Sequence, residues 1–317
     1  MFTKTLVYYI DMKNIFKFIL LSPIAFSTIG CGGAGKSTKK DPTPVDVIVI
    51  SGQSNAVGCT HADCITRSIG NSKYREYMKG YENIQIAFDS WTKDVDASGK
   101  SIFYSQNKSK DNTFIKTMLG QGNSLSCFGP EIGIAETMHE KYGDKLFLIK
   151  YACGASNLKD DWASKTSPMY PRLISYVKMQ MQNLVDLGYI PTIKAFCWMQ
   201  GEGDAWDGYY DSYYENLKGF ASNIREDLKD LSGNVDLPFI DAGISNSKDW
   251  QYYRQVNNAK KQFAEESVNN IYIDTIEAGM HTDQEPFDSP DTCHYDTESE
   301  VLLGKLFAQS FEPFLMK

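Results

Sequence analysis

Six predominantly apolar runs punctuate the chain, at Val45–Ile50, Ile84–Phe88, Leu146–Tyr151, Ile193–Trp198, Leu237–Ile244 and Ile271–Ile276. They show little polar alternation, which predicts strands covered on both faces. Apolar positions recur at helical spacing over Pro130–Tyr142, Pro171–Leu187, Tyr209–Leu231, Tyr252–Val268 and Thr297–Phe314. Buried strands alternating with amphipathic helices predict a parallel sheet between two helical layers, a three-layer α/β/α sandwich of flavodoxin-like form. Residues 59–129 are more polar and irregular, and read as an insertion within one domain running from 45 to 317.

In such a sheet, ligands meet the chain just beyond the carboxyl ends of the strands. After the first run comes Gly52-Gln53-Ser54-Asn55, and after the third comes Cys153-Gly154-Ala155-Ser156-Asn157. The fourth run leads into Met199-Gln200-Gly201-Glu202-Gly203-Asp204, and the last helix is preceded by Asp291-Thr292-Cys293-His294-Tyr295-Asp296. A serine, a glycine turn, a side-chain amide and an Asp-x-x-His therefore collect at one end of the sheet. Acyl transfer uses such parts: a nucleophile, a base oriented by a carboxylate, and donors for a developing oxyanion.

Each part has a plainer role available. Ser54 could cap a helix, His294 could be a surface histidine, and Gln200 a solvated amide. The chain has four histidines. His139 falls within a helical pattern, His61 in the polar segment, and His281 has only Asp283 nearby. Asp291, three residues before His294, lets one loop deliver carboxylate and imidazole together. Glu202 is the rival acid.

Taken in order, these four motifs resemble the SGNH (GDSL-like) hydrolases. The chain is most similar there to the sialate O-acetylesterase and carbohydrate esterase family six group, which includes acetylxylan esterases. The resemblance implies Ser54 as nucleophile, His294 as general base and Asp291 as its orienting acid. It implies an oxyanion hole from the N–H groups of Ser54 and Gly154 and the side-chain amide of Gln200. Gln53, Asn55 and Glu202 would support these groups. Ala56 stands where a Gly-x-Ser-x-Gly elbow would have its last glycine, which argues against the α/β-hydrolase arrangement. The implied activity is removal of acetyl groups from sugars through an acyl-enzyme. The alternatives are a glycan-binding protein that has lost catalysis, with Trp162, Trp206 or Tyr209 as stacking platforms, and a lipase or thioesterase for longer acyl chains.

The N-terminus adds a location. Lys13 and Lys17 precede an apolar stretch that ends in small residues before Cys31, the layout of a secretory signal over residues 1–30. It resembles a bacterial lipoprotein signal with Cys31 as the lipid-bearing residue, although Thr28 stands where leucine is commonest. Met12 alone would start a complete signal. Residues 31–44 then read as a polar tether, placing the domain in the cell envelope with the lipid as its membrane contact.

The formal charge of −8 sits on an acidic domain, since the first 30 residues carry Lys4, Lys13 and Lys17 against Asp11. An acidic surface argues against nucleic acid as a partner. Beyond Cys31 there are six cysteines, and Cys59 and Cys64 are close enough in sequence to close a small loop in an exported protein. No zinc-finger spacing occurs, and neither metal nor cofactor is expected.

Overall fold

Val45–Ile50 lie in the middle of a sheet, as an apolar run of that kind demands. Every residue from Val45 to Gly52 is buried. The computed structural model describes residues 41–316 apart from 144, 234 and 235. The expected leader, Cys31 and most of the tether lie outside the described residues.

In chain order the strands are β1 (Thr43–Gly52), β2 (Thr60–His61), β3 (Tyr81–Val95), β4 (Ser101–Lys108), β5 (Ile115–Thr117), β6 (Cys127–Phe128), β7 (Leu146–Gly154), β8 (Tyr189–Met199), β9 (Phe239–Ala242) and β10 (Asn270–Ile273). The helices are α1 (Ser54–Val57), α2 (Ile65–Ser68), α3 (Asn71–Lys79), α4 (Glu131–Lys141), α5 (Tyr170–Asp186), α6 (Glu202–Asp207), α7 (Tyr210–Ser232), α8 (Tyr253–Ala264) and α9 (Thr297–Phe311). Among the described residues, eight strands form one sheet in the order β10-β9-β8-β1-β7-β3-β4, with β5 also on β3. The pairs from β10 through β3 are parallel. Helices α5, α7 and α8 pack together along one side, and α4 and α9 pack on each other and on the sheet elsewhere. The three-layer α/β/α expectation describes this arrangement.

Register decides where the motifs meet. Gly52 pairs with Ala152 on one side and with Met199 on the other. The segments that follow β1, β7 and β8 therefore leave the sheet at one level, side by side.

Within residues 59–129, read from the sequence as an irregular insertion, β3, β4 and β5 belong to the main sheet, while β2 and β6 pair in a separate two-stranded sheet. β3 runs parallel to β7 from Ile84↔Leu146 to Thr92↔Gly154. It then turns back antiparallel into β4, and β5 pairs with it as well. β4 is an edge strand with no buried residue, so its sequence carries no continuous apolar signal.

α4 and α9 touch backbone to backbone. A Cβ added at Gly133 would lie 2.0 Å from Val301 O, and one at Gly304 would lie 2.1 Å from Pro130 O. Glycine at both positions is what lets the helices approach so closely. Gly304→Ala is expected to destabilise the domain by about 1–3 kcal/mol, since backbone rather than a flexible side chain must move. Urea unfolding of the two proteins checks this, and an unchanged midpoint would show that the helices separate without cost.

Candidate active site

β1 ends at a glycine for a steric reason. Gly52 has φ of +142°, and a Cβ there would lie 1.9 Å from Met199 O. Gln53 N then donates to Met199 O at 2.9 Å, and the chain turns into the single-turn helix α1. Asn55, Ala56 and Val57 are buried, while Ser54 at its start is partly exposed. The far end of α1 is held by Lys150, whose Nζ donates to Val57 O at 2.8 Å, Gln121 O at 2.7 Å and Glu131 Oε2 at 2.7 Å. A cation at a helix C-terminus is favourable, and this one is fully buried with its carboxylate. Removing either partner alone would strand a buried charge. Nothing in the apolar run around Lys150 announced this support.

Asp291 and His294 meet within one loop. His294 Nδ1 faces Asp291 Oδ2 in a short hydrogen bond, while Cys293 N donates to Asp291 Oδ1 at 2.8 Å. Burial disfavours the charged imidazole, but the hydrogen bond to Asp291 and the side chain of Cys59 outweigh it, and the His294 pKa is raised. Burial pushes the Asp291 carboxyl up, and the hydrogen bond from His294 reverses the direction, so its pKa is lowered.

Asn55 ties three motifs together. Its Oδ1 accepts from Tyr295 N at 3.1 Å, and its Nδ2 donates to Glu202 Oε1 at 2.7 Å. The residue after Ser54 is thus bonded to the residue after His294, which brings the serine turn and the histidine loop against each other. Thr60 Oγ1 donates to Tyr295 O at 2.7 Å and fixes the same loop from β2. Glu202 is fully buried, burial raises its pKa, and its Oε2 has no partner among the described residues. It braces Asn55, whereas the imidazole of His294 is turned to Asp291.

The glycine turn also comes close to Ser54. A Cβ at Gly154 would lie 3.9 Å from Ser54 Cβ and 3.6 Å from Thr92 Oγ1, in the space beside the hydroxyl. The next residue, Ala155, has φ of +57°, a conformation that side chains rarely adopt. Gln200, on the β8 side, is fully buried. Its Nε2 donates to Asp204 Oδ2 at 2.6 Å and to Gln53 Oε1 at 3.2 Å, so the amide expected to face a substrate is engaged inside the protein. Asp204 also accepts from Leu158 N at 2.7 Å, and burial lifts its pKa to about 6.

Other residues singled out from the sequence fall in varied places. Trp162 is buried in the core and donates to Ser156 Oγ at 2.9 Å, so it offers no stacking face. Trp206 is 64% exposed and stands edge-on to Trp250 with ring centroids 6.2 Å apart. Lys159 Nζ lies 4.0 Å from the Tyr209 ring centre. Cys59, Cys64, Cys127, Cys153, Cys197 and Cys293 are all free, and the small loop that Cys59 and Cys64 could close is open. Cys64 is buried, while Cys59 lines a narrow cleft beside His294. His281 makes a second histidine–acid pair, Nδ1 to Asp296 Oδ2 at 2.6 Å, which local spacing did not reveal. His281, Asp283 and Asp296 present possible ligand atoms within 4.8 Å of one another. Asp296 already accepts from Gln284 N at 3.1 Å and Glu285 N at 2.8 Å, which makes it a clasp for its loop. A cavity of about 550 Å³ lies beyond Thr292, lined by Lys248, His281 and Thr282 among others, and is not lined by Ser54 or His294.

Against known proteins, the family described as carbohydrate esterase, sialic acid-specific acetylesterase, matches residues 44–312. Among solved structures, a protein from Arabidopsis thaliana is similar with a TM-score of 0.57 at 20% identity, covering 86% of this chain and 100% of that one. NanS is similar with a TM-score of 0.53 at 12% identity, covering 87% of this chain and 98% of its own. At these identities the likeness speaks to the fold. No curated protein matches the chain.

Proposed function

The chain belongs to the carbohydrate esterase family of sialic acid-specific acetylesterases, and on that premise we propose that it removes O-acetyl groups from sugars with Ser54, His294 and Asp291 as a catalytic triad. Ester hydrolysis is the chemistry of the family. The observation that carries the triad reading is the Asn55 bridge. It joins the residues following Ser54 and His294 by a hydrogen bond, while His294 Nδ1 meets Asp291.

In this reading neutral His294 takes the proton of Ser54 Oγ as the oxygen attacks the acetyl carbonyl. Asp291 stabilises the imidazolium that forms. The N–H groups of Ser54 and Gly154 receive the negative charge of the tetrahedral intermediate. Collapse expels the sugar oxygen, which takes its proton from His294. Water, deprotonated by the same imidazole, then releases acetate and restores the hydroxyl. Trp206, exposed on α6, offers a face on which a sugar ring could rest.

The leader and Cys31 support an exported, lipid-anchored enzyme of the bacterial cell envelope, with an acetylated carbohydrate as its partner. One experiment addresses activity and location together. Membrane and soluble fractions of cells making the full chain are assayed for acetate release from a panel of acetylated glycans. Activity is expected with the membranes, and Cys31→Ser should transfer it to the soluble fraction. No acetate from any substrate overturns the esterase reading, and wild-type activity found only in the soluble fraction overturns the anchor.

A further inference from the structure

Counting amide donors singles out Gln53. A glutamine side chain has two N–H donors and one carbonyl acceptor. Both N–H groups of Gln200 are engaged, on Asp204 and on Gln53, and its carbonyl accepts from Tyr213 Oη at 3.0 Å. The residue is closed to solvent. It has no donor left for a substrate.

Gln53 is also buried, but its amide is turned the other way. Its Oε1 accepts from Gln200 Nε2, from Gly201 N at 3.2 Å and from Gly203 N at 3.1 Å. Three donors on the carbonyl end fix the side chain and turn its NH₂ end away from the 200–203 turn. No described residue accepts from Gln53 Nε2, and that atom is not among the buried partnerless ones. Gln53 immediately precedes Ser54, at the point where β1 ends.

We propose that Gln53 Nε2, in place of Gln200, gives the third hydrogen bond to the oxyanion formed when Ser54 attacks an ester. The inference rests on the esterase reading of Ser54. Donation onto Oε1 polarises the amide and strengthens the N–H at its other end. The clamp also supplies what an oxyanion donor requires, a fixed dipole that does not reorganise as charge develops. Gln200 is then a positioning residue that acts through Gln53. Asp204 and Tyr213 hold Gln200 in turn.

The test compares Gln53→Glu, Gln53→Met and Gln200→Met on an acetyl ester, with melting temperatures for each. Gln53→Glu keeps the clamped oxygen and replaces only the donor, so it preserves the turn. Gln53→Met removes the donor without adding charge. Both are expected to lower kcat by about 10²-fold or more with KM within about threefold of wild type, the signature of a contact made in the transition state. Gln200→Met is expected to cost melting temperature first and kcat by less than about tenfold. Should Gln53→Met fail to fold, Gln53→Glu decides. A folded Gln53 variant with kcat within threefold of wild type overturns the assignment, as does a Gln200→Met loss exceeding that of both Gln53 variants. An inert wild type overturns the esterase reading and this inference with it. An active wild type matched by its Gln53 variants overturns this inference alone.

Discussion

Ser54→Ala is expected to lower kcat/KM for acetyl esters by about 10³-fold or more while leaving the domain folded. The expectation has a structural half and a chemical half. Structurally, the hydroxyl is expendable: Ser54 is partly exposed, and the turn is held by Gln53 N on Met199 O, by Asn55 and by Lys150 beneath α1. None of these contacts uses Ser54 Oγ. Chemically, among the described residues no other hydroxyl stands at the level where β1, β7 and β8 release their motif segments with an imidazole loop bonded to the next residue. A water attacking directly would have to be activated by His294 without an acyl-enzyme, which is a slower route. Equal melting temperatures with lost activity support the nucleophile. A folded Ser54→Ala protein retaining more than about a tenth of wild-type activity would remove Ser54 from that role.

The parts of the fold legible in the sequence are those whose environment is uniform. β1 and β7 are buried along nearly their whole length, and their composition says so. The helices α5 and α7 keep an apolar stripe over many turns, and their predicted bounds differ from Tyr170–Asp186 and Tyr210–Ser232 by one residue at each end. Ile84–Phe88 showed the buried middle of β3, but its polar extension to Val95 and the edge strand β4 were obscured by their position. β4 pairs on one side only, so its residues answer to solvent as much as to the core, and a polar segment came to look like an insertion.

The site divides in the same way. Asp291 and His294 were legible because their partnership is local, within one loop. Partnerships spanning long stretches of chain were not. Nothing near Lys150 in sequence announces Val57 O and Gln121 O, and Asp296 lies 15 residues from His281. The loop that Cys59 and Cys64 could have closed is open, since nearness in sequence does not aim two side chains at each other. Gln200 shows a third kind of limit. Its residue type suits an oxyanion donor, but the direction of an amide is set by Asp204, Tyr213 and Gln53, which only the folded chain brings together.

Asp291→Asn and Glu202→Gln should separate in both rate and pH dependence. Asp291 accepts on Oδ2 from His294 Nδ1, and as an anion it favours the imidazolium that forms when Ser54 is deprotonated. Asparagine keeps the size but removes the charge, and its NH₂ group can hold the imidazole in the wrong tautomer. Turnover is expected to fall by about 10²–10⁴-fold. The pH profile carries the sign. His294 acts as a base only when neutral, so activity rises with pH through its pKa. The contact with Asp291 raises that pKa, which places the acidic limb of wild-type kcat/KM above the ordinary imidazole value of about 6.5. Loss of the carboxylate should move the residual limb of Asp291→Asn to lower pH. Glu202 faces a different partner. It is buried, its pKa is raised by burial, and its contact is the amide of Asn55 at 2.7 Å. A glutamine there can still accept from Asn55 through its carbonyl oxygen, so Glu202→Gln should keep turnover within about tenfold and leave the acidic limb where it is. Profiles of kcat/KM from pH 5 to 11, with melting temperatures at each end, decide between the two acids. An active Asp291→Asn with an unshifted limb, beside a folded and inert Glu202→Gln, would transfer the orienting role to Glu202 and leave the Asp291 contact as loop structure.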